Sequence, residues 1–557
     1  MIHSERDILY VSAYNLRVIY MKYRVFEKNK VILILTFVKY LFFAYLLFKV
    51  LNGNEIWYVF FCLCEISIGD SIIVQIENLK IRNMIHSIYV LLIGMQMLFL
   101  IYARTFLTLV MVDNIASLED ISGNAQVYVI GFGLLFVVAF IPLHEIQKKE
   151  KAKTFLSMVL VIELGLTMVV GNTFSPVYSY MRLLNQGVEQ KKLQRTVELG
   201  NDSKADFYQS GIGDYISKPD DLVTNPNIII IFTEGLSQNV IDDEREIMPN
   251  VSAYQKKALN VENYYNHTFA TYRGLNGQLY SGYQMENYDE NRLVSLQEIF
   301  KSIGYDTTFI NAEPNNGAFT AYLERMNFDH LESNVENATE GMINTVSDKM
   351  IYENLLSIME QKENVGQPYL IAMYTFGTHA SLDSVNEMYG DGKDAELNKF
   401  YNLDYQFGKF MENFENSEMA KDTVSIFTAD HCTYEDEGFY KSFPNYKRES
   451  WGIDKIPFFI YYQGIQSETI DAGGRNSLDL APTICDYFDV TAENYFLGVS
   501  VFTDIDSNYD TVFQQGQDYY STRGGIITEL SGAEKELVLP NIVKYFTISR
   551  NPNVQSE

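Results

Sequence analysis

The chain has 557 residues and a formal net charge of −28 at pH 7. This length exceeds what one ordinary hydrophobic core organises, so two or more structural units are expected. The acidity argues against nucleic acid as a partner, because a phosphate backbone is bound by basic surfaces. The four cysteines, at positions 62, 64, 432 and 485, have neither the spacing of a disulfide framework nor that of a metal-binding Cys-x-x-Cys.

The first 172 residues are strongly apolar, and most of their charges lie outside the apolar runs. Residues 1–30 are polar and basic and show no signal-peptide cleavage pattern. The five apolar runs that follow lie near residues 31–51, 56–76, 85–111, 127–145 and 153–172. Each run reaches roughly the 20 residues that a helix needs to cross a bilayer. The sequence therefore predicts a five-helix transmembrane domain over residues 31–172.

Connections with and without basic residues alternate along this domain. Segments 80–82 and 148–153 carry lysine or arginine, whereas segments 52–55 and 112–126 carry neither. Because basic connections stay on the cytoplasmic side, the N-terminus is predicted to be cytoplasmic. After five crossings, the chain beyond about residue 173 is predicted to lie outside the cell.

Glu65, Asp70, Arg104 and Glu163 are ionisable residues within the apolar runs. Such groups are costly in lipid, about 2.5–3.5 kcal/mol each on insertion scales. We expect them to face the bundle interior and to pair, Arg104 with Glu65 or Glu163. A polar cleft for a lipid headgroup and purely structural pairing both fit this pattern.

Residues 173–224 are predicted to form a connector, in which a helical stretch precedes a segment rich in Gly, Asn, Asp and Ser. In residues 225–557, apolar β-rich runs alternate with helix-like segments. The predicted strands are Ile228–Phe232, Thr307–Ile310, Tyr369–Tyr374, Val424–Phe427 and Pro457–Tyr462. The predicted helices are Ser295–Ile303, Ser347–Glu360, Glu396–Phe414 and Ser477–Tyr487. This alternation predicts an α/β domain with a mainly parallel central sheet.

Polar residues follow the ends of three predicted strands. Glu234 follows the first strand, His379 follows the third, and Asp430 and His431 follow the fourth. Open α/β sheets place their ligand sites at the carboxyl ends of strands. Two carboxylates and an imidazole at that edge can bind one divalent ion. Thr271, in a turn of small residues before a predicted helix, is the candidate nucleophile beside that ion.

Each of these residues also has a plain structural interpretation. Glu234 would cap the following helix, and Thr271 would be an ordinary turn threonine. Asp430 and His431 would be a capping aspartate and a surface histidine, and His379 a histidine satisfied by its surroundings. We favour the functional interpretation because all of these residues are predicted to meet at one edge of the sheet.

Further stretches accompany Thr271 in a fixed order along the chain: Met248-Pro249-Asn250, Ala429-Asp430-His431, residues 473–483 and residues 494–498. With five apolar runs and a connector before them, these stretches resemble the lipoteichoic acid synthase branch of the alkaline phosphatase and sulfatase superfamily. The resemblance covers essentially the whole chain. It implies an outward-facing catalytic domain of the alkaline-phosphatase/sulfatase type.

The resemblance implies that Glu234, Thr271, Asp430 and His431 hold one divalent ion, typically manganese in this family. Thr271 would attack the phosphodiester of a membrane phospholipid, expel diacylglycerol and carry the headgroup until a surface acceptor takes it. His379 would protonate the leaving oxygen and then deprotonate the acceptor hydroxyl. A sulfatase proper needs a Cys or Ser that becomes formylglycine, so threonine at this position disfavours sulfate ester hydrolysis.

The sequence departs from the synthases in the region of their Phe-Trp-Asn-Arg element, where it has Phe319-Thr320-Ala321-Tyr322. Arg325, just beyond, and Arg273, two residues past Thr271, are the candidate phosphate-binding residues. Phosphoglycerol transfer from a phosphatidylglycerol-like donor to a wall polymer or surface glycan is the first prediction. Phosphoethanolamine transfer, or phosphodiester hydrolysis on the same centre, is the alternative. A degenerate domain that binds a glycan or a partner is the non-enzymatic alternative.

Overall fold

The computed structural model describes residues 30–31, 34–45, 47–48, 56–114, 125–143, 149–200, 202–334, 339, 345–380, 382–503 and 508–550. Nearly all of the predicted cytoplasmic segment 1–30 lies outside these residues. The chain divides into two compact units, with the main boundary between Asn185 and Gln186. We call them the helical unit and the α/β unit.

The helical unit is built from apolar helices. They are α1 (Ile34–Tyr45), α2 (Ile56–Ile73), α3 (Leu79–Ala103), α4 (Leu109–Asn114), α5 (Ala125–Ala139), α6 (Lys149–Val170) and the first part of α7 (Pro176–Leu199). Within the described residues, α2, α3 and Lys153–Val170 of α6 are long and apolar enough to cross a membrane. The apolar parts of α1 and α5 are shorter. The predicted apolar helices are thus present, and the count of five spans stays a prediction.

Two buried carboxylates inside the helical unit have polar partners, as expected for ionisable residues among apolar helices. Asp70 accepts a hydrogen bond from the buried Lys39 ammonium at 3.2 Å. Glu65, predicted above as one of two possible partners of Arg104, accepts hydrogen bonds from the Ser175 hydroxyl and, at 2.9 Å, from the Val177 N–H. Glu65 therefore caps the start of α7.

An eight-stranded sheet forms the centre of the α/β unit. Its strands are β1 (Asn227–Thr233), β2 (Leu259–Glu262), β3 (Asp306–Ile310), β4 (His330–Glu332), β5 (Tyr369–Tyr374), β6 (Thr423–Ala429), β7 (Phe458–Tyr461) and β8 (Glu468–Asp471). Their order across the sheet is β4-β3-β5-β1-β6-β7-β2-β8. All neighbours are parallel except β7, which runs antiparallel to β6 and β2. The mainly parallel α/β sheet predicted from the sequence is confirmed.

Helices and a small second sheet surround this sheet. The helices are α8 (Gln238–Ile241), α9 (Pro249–Gln255), α10 (Thr271–Tyr280), α11 (Leu296–Ser302), α12 (Gly317–Glu324), α13 (Asp348–Glu363), α14 (Ala395–Glu415), α15 (Glu437–Ser442), α16 (Leu480–Tyr487) and α17 (Gly532–Arg550). The second sheet, in the order β11-β10-β9, comprises β9 (Val512–Gln515), β10 (Asp518–Ser521) and β11 (Thr528–Glu529). This sheet and α17 were not predicted.

Strand β1 lies in the middle of the sheet because its side chains are apolar on both faces. All seven of its residues are buried, as a strand covered by helices on both sides requires. Its parallel neighbours are β5 and β6, with Phe232 opposite Tyr374 and Thr428. The carboxyl ends of these three strands consequently meet at one edge, where open α/β sheets carry their sites.

Candidate metal centre

Two carboxylates and an imidazole meet at the ends of β1 and β6. Thr233 pairs with Ala429, so the next residues, Glu234 and Asp430, lie side by side. His431 Nε2 is 3.6 Å from Glu234 Oε1 and 3.6 Å from Asp430 Oδ2. One ligand atom from each of the three residues lies within 4.8 Å of the others, and all three side chains are buried. The predicted ligand trio is therefore assembled at one point.

Thr271 reaches the same point from the first turn of α10. Its hydroxyl donates a hydrogen bond to Glu234 Oε2 at 3.1 Å, and its Oγ1 lies 3.4 Å from His431 Nε2. Thr271 begins α10, nine residues after the end of β2, so helix packing rather than strand register brings it to the centre.

A close approach between α10 and the end of β6 holds Thr271 in place. A Cβ added to Gly274 would lie 2.3 Å from the backbone oxygen of Asp430, so only glycine allows this contact. One turn further on, Gln278 Nε2 donates to the backbone oxygen of Ala429 at 2.9 Å. Both contacts attach the helix that carries Thr271 to the strand that carries Asp430.

The donor atoms of this centre fit a divalent cation. The N–H groups of Gly235 (2.9 Å) and His431 (2.6 Å) donate to Asp430 Oδ1, whereas no described residue donates to the buried Oδ2. His431 Nδ1 lies 2.7 Å from the Cys432 carbonyl, which only accepts, so Nδ1 carries the proton and the Nε2 lone pair faces the carboxylates. Carboxylate, imidazole and hydroxyl donors together suit a divalent ion.

A further carboxylate, Glu313, lies near this centre and was missed by the sequence reasoning. It is buried and accepts hydrogen bonds from the Tyr374 hydroxyl (2.6 Å) and from Asn316 Nδ2 (3.0 Å). Burial, followed by the charges of Asp430 and Glu313, raises the pKa of Glu234 well above its ordinary value. Glu313 lies just past the end of β3, so the strand-end rule that identified Glu234 would also have found it.

His379 follows β5 at the same edge of the sheet. Its ring stacks on Phe376, with centroids 4.7 Å apart, and its Nδ1 lies 3.1 Å from the Ala380 carbonyl. That contact places the proton on Nδ1 and leaves Nε2 as an acceptor. Burial lowers the pKa of His379 to about 4, so the imidazole is neutral at pH 7. A neutral imidazole with a bare Nε2 has the form of a general base.

The two predicted phosphate-binding arginines occupy different surroundings. Arg273 is buried, and its Nε donates to Asn287 Oδ1 at 2.9 Å. Arg325 is exposed at the end of α12, and its guanidinium donates to the Tyr288 carbonyl at 3.5 Å. Tyr288 stacks on Tyr272, the residue after Thr271, with centroids 4.9 Å apart.

Aromatic rings line one side of the centre. Phe269 lies against the His431 ring, with centroids 4.9 Å apart, and contacts Trp451 at 4.8 Å and Tyr434 at 6.0 Å. Tyr434 and Trp451 are half-buried. Because the only other tryptophan is Trp57 in α2, Trp451 offers a fluorescence signal from beside the centre.

Comparison with known proteins places this site in a family. Residues 226–490, which include all four residues of the centre, match the sulfatase family model. The chain carries a sulfatase-family domain. This match confirms the resemblance to the alkaline phosphatase and sulfatase superfamily that was drawn from the sequence.

Three solved structures that are similar to the chain are distant from it in sequence. An alkaline phosphatase superfamily protein from Vibrio parahaemolyticus shares 16% identity over 65% of this chain and 94% of its own, with a TM-score of 0.49. The lipoteichoic acid synthase LtaP from Listeria monocytogenes shares 17% identity over 60% and 92%, with a TM-score of 0.46. The lipooligosaccharide phosphoethanolamine transferase EptA from Neisseria meningitidis shares 10% identity over 81% and 92%, with a TM-score of 0.48.

Proposed function

We propose that this protein is a membrane-anchored transferase that moves a phosphoglycerol headgroup from a phospholipid to a cell-surface polymer or glycan. The contact of the Thr271 hydroxyl with Glu234 and His431 carries this proposal, because it puts a nucleophile inside a cation site. Threonine cannot become the formylglycine that a sulfatase proper needs, which favours phosphoryl transfer over sulfate ester hydrolysis. Apolar helices in the same chain suit a donor that resides in a bilayer.

Glu234, Asp430 and His431, together with the Thr271 oxygen, would hold one divalent ion, which we propose to be manganese. Such an ion lowers the pKa of a bound hydroxyl and offsets negative charge on the attacked phosphate. The buried Asp430 Oδ2, which receives no hydrogen bond from a described residue, supports a cation at this position.

The proposed transfer proceeds in two balanced steps. In the first, a bond forms between Thr271 Oγ1 and phosphorus while the phosphorus–oxygen bond to diacylglycerol breaks, and the threonine proton ends on the diacylglycerol oxygen. In the second, the acceptor oxygen replaces Thr271 on phosphorus, and the acceptor proton returns to the threonine. His379, neutral with a bare Nε2, is suited to carry the proton in each step.

We also propose substrate contacts and a topology. Arg325 is the better placed of the two arginines to bind the headgroup, because the stack of Tyr288 on Tyr272 connects its position to Thr271. The buried Arg273 would act on the phosphate only through the packing of α10. The N-terminus would be cytoplasmic and the sulfatase-family domain extracellular, as the distribution of basic residues predicts.

The test is the release of diacylglycerol from fluorescent phosphatidylglycerol by the full-length protein with Mn²⁺. Thr271→Val should abolish release, because the isosteric side chain lacks the hydroxyl, whereas Thr271→Ser should retain part of it. Thr268→Val, at a buried threonine three residues earlier, is the matched control and should release at the wild-type rate. Release by Thr271→Val at the wild-type rate would refute the proposal.

Phosphoethanolamine transfer on the same centre is the second candidate, and Glu313 is the observation that favours it. A buried carboxylate close enough to affect Glu234 suits a cationic headgroup better than a neutral glycerol. Incubation with equal amounts of phosphatidylglycerol and phosphatidylethanolamine, followed by intact-mass measurement, separates the two candidates. The added mass identifies the headgroup, and Glu313→Gln should favour phosphoglycerol if the carboxylate selects an amine.

A further inference from the structure

A cavity of the α/β unit lies between α13 and α14, and it is separate from the metal centre. Its volume is about 570 Å³, within the range of small-ligand pockets. Its walls include three aromatic residues and three amides: Tyr352, Tyr405, Phe410, Asn386, Gln406 and Asn413. None of the four residues of the metal centre lines it. We call this cavity the α13–α14 groove.

The lining of the groove is aromatic and polar but has no net charge. Two lysines and two glutamates share it, and Lys349 lies 3.9 Å from Glu353 within one helix. Tyr352 and Phe410 are almost fully buried and stack on each other, with centroids 5.5 Å apart, whereas Tyr405 is half-buried. The face of the Tyr405 ring can accept the C–H face of a sugar ring, and the exposed amides Asn386 and Asn413 can pair with its hydroxyls in both directions.

We propose that the α13–α14 groove binds a neutral saccharide. A polyanion is disfavoured, because the groove offers no excess of positive charge and the chain carries a net charge of −28. A purely apolar ligand would leave the amides Asn386 and Asn413 without partners. We identify the saccharide as part of the glycan that accepts the headgroup, and this identification rests on the proposed transfer function.

A chain of hydrogen bonds connects the groove to the loop that carries His379. Gln406 Nε2 donates to Asn402 Oδ1 at 3.1 Å, and Asn402 Nδ2 donates to Asp348 Oδ2 at 3.4 Å. Asp348 Oδ1 accepts the N–H of Gly377 at 2.9 Å, two residues before His379. A saccharide bound against Gln406 would therefore steady the segment that positions the proposed base.

Saturation-transfer NMR on the full-length protein tests the binding. The probes are N,N′-diacetylchitobiose and maltotriose as neutral saccharides and a hyaluronan tetrasaccharide as an anionic one. We expect a signal from at least one neutral saccharide, unchanged between low and high salt and lost in Tyr405→Ala and Asn413→Ala. Tyr208→Ala, at a tyrosine 44% exposed and outside the groove, is the matched control and should keep the signal.

The proposal is overturned if neither neutral saccharide gives a signal, if Tyr405→Ala gives the wild-type signal, or if only the hyaluronan probe binds. Different results would refute the groove proposal and the proposed transferase function. Tyr405→Ala should still release diacylglycerol from phosphatidylglycerol and should lower transfer to the bound saccharide at least about tenfold, roughly the effect of one good contact. Saccharide binding without any Thr271-dependent release of diacylglycerol would support the groove as a saccharide site and refute the proposed transferase function.

Discussion

Replacing Gly274 by alanine tests whether the packing of α10 places Thr271 in the centre. The added Cβ would lie 2.3 Å from the backbone oxygen of Asp430, whereas ordinary contacts begin near 3.4 Å. The helix must therefore move by about 1 Å, because neither backbone can yield without losing its strand or helix hydrogen bonds. A displacement of that size in a reacting group costs on the order of 100-fold in rate.

The assay is the initial rate of diacylglycerol release by the full-length protein, with the melting temperature recorded for each variant. Gly317→Ala is the matched control, since it also lies in a helix but would meet no atom within 4 Å. That control should keep the wild-type rate and gain up to about 1 kcal/mol of stability from reduced freedom in the unfolded chain. A folded Gly274→Ala protein with the wild-type rate would refute this account of how Thr271 is positioned.

Two further predictions concern buried charges in the α/β unit. Burial raises the pKa of Asp348 from 3.8 to about 6. The folded state therefore binds this proton more tightly than the unfolded state does. The protonated carboxyl stabilises the fold at low pH, and this contribution is lost as the pH rises through 6. Denaturant melts should show that the unfolding free energy of wild type relative to Asp348→Asn falls by about 2 kcal/mol between pH 4 and pH 7; a constant difference would contradict this. Arg448→Met should destabilise the unit by about 3–5 kcal/mol, because Glu435 (3.3 Å) and Asp454 (3.2 Å) would lose their buried partner. Arg292→Met, at an exposed ion pair, should cost less than about 1 kcal/mol, and equal losses in the two variants would contradict the role of burial.

The sequence predicted the central strands well because their chemistry is local. Ile228–Phe232 is a continuous apolar run bounded by Pro and Gly, which favours a strand buried on both faces, and β5 was predicted with the bounds it has. Strands β2, β4 and β8 were missed, because strands of three or four residues with mixed polarity carry little periodic signal. The antiparallel direction of β7 was also missed, since it depends on the path of the chain and not on composition.

The candidate site was predictable where residue type and strand end coincide, as at Glu234 and Asp430. The position of Thr271 was harder to derive, because it depends on the approach of Gly274 to a backbone oxygen far away in sequence. The partners of Arg273 were likewise invisible, since Asn287 meets it only after the fold has formed. Long-range packing, which a single sequence does not encode in any short pattern, accounts for both.

Peptide mass spectrometry of the full-length protein, after incubation with phosphatidylglycerol and Mn²⁺ in the absence of an acceptor, tests the central claim most directly. The account predicts a glycerol phosphate ester on Thr271 in the wild type. It predicts no such ester in the presence of a chelator or in Glu234→Gln, which removes one carboxylate charge from the centre. An ester on a different residue, or equal labelling of Thr271 in wild type and Glu234→Gln, would contradict it.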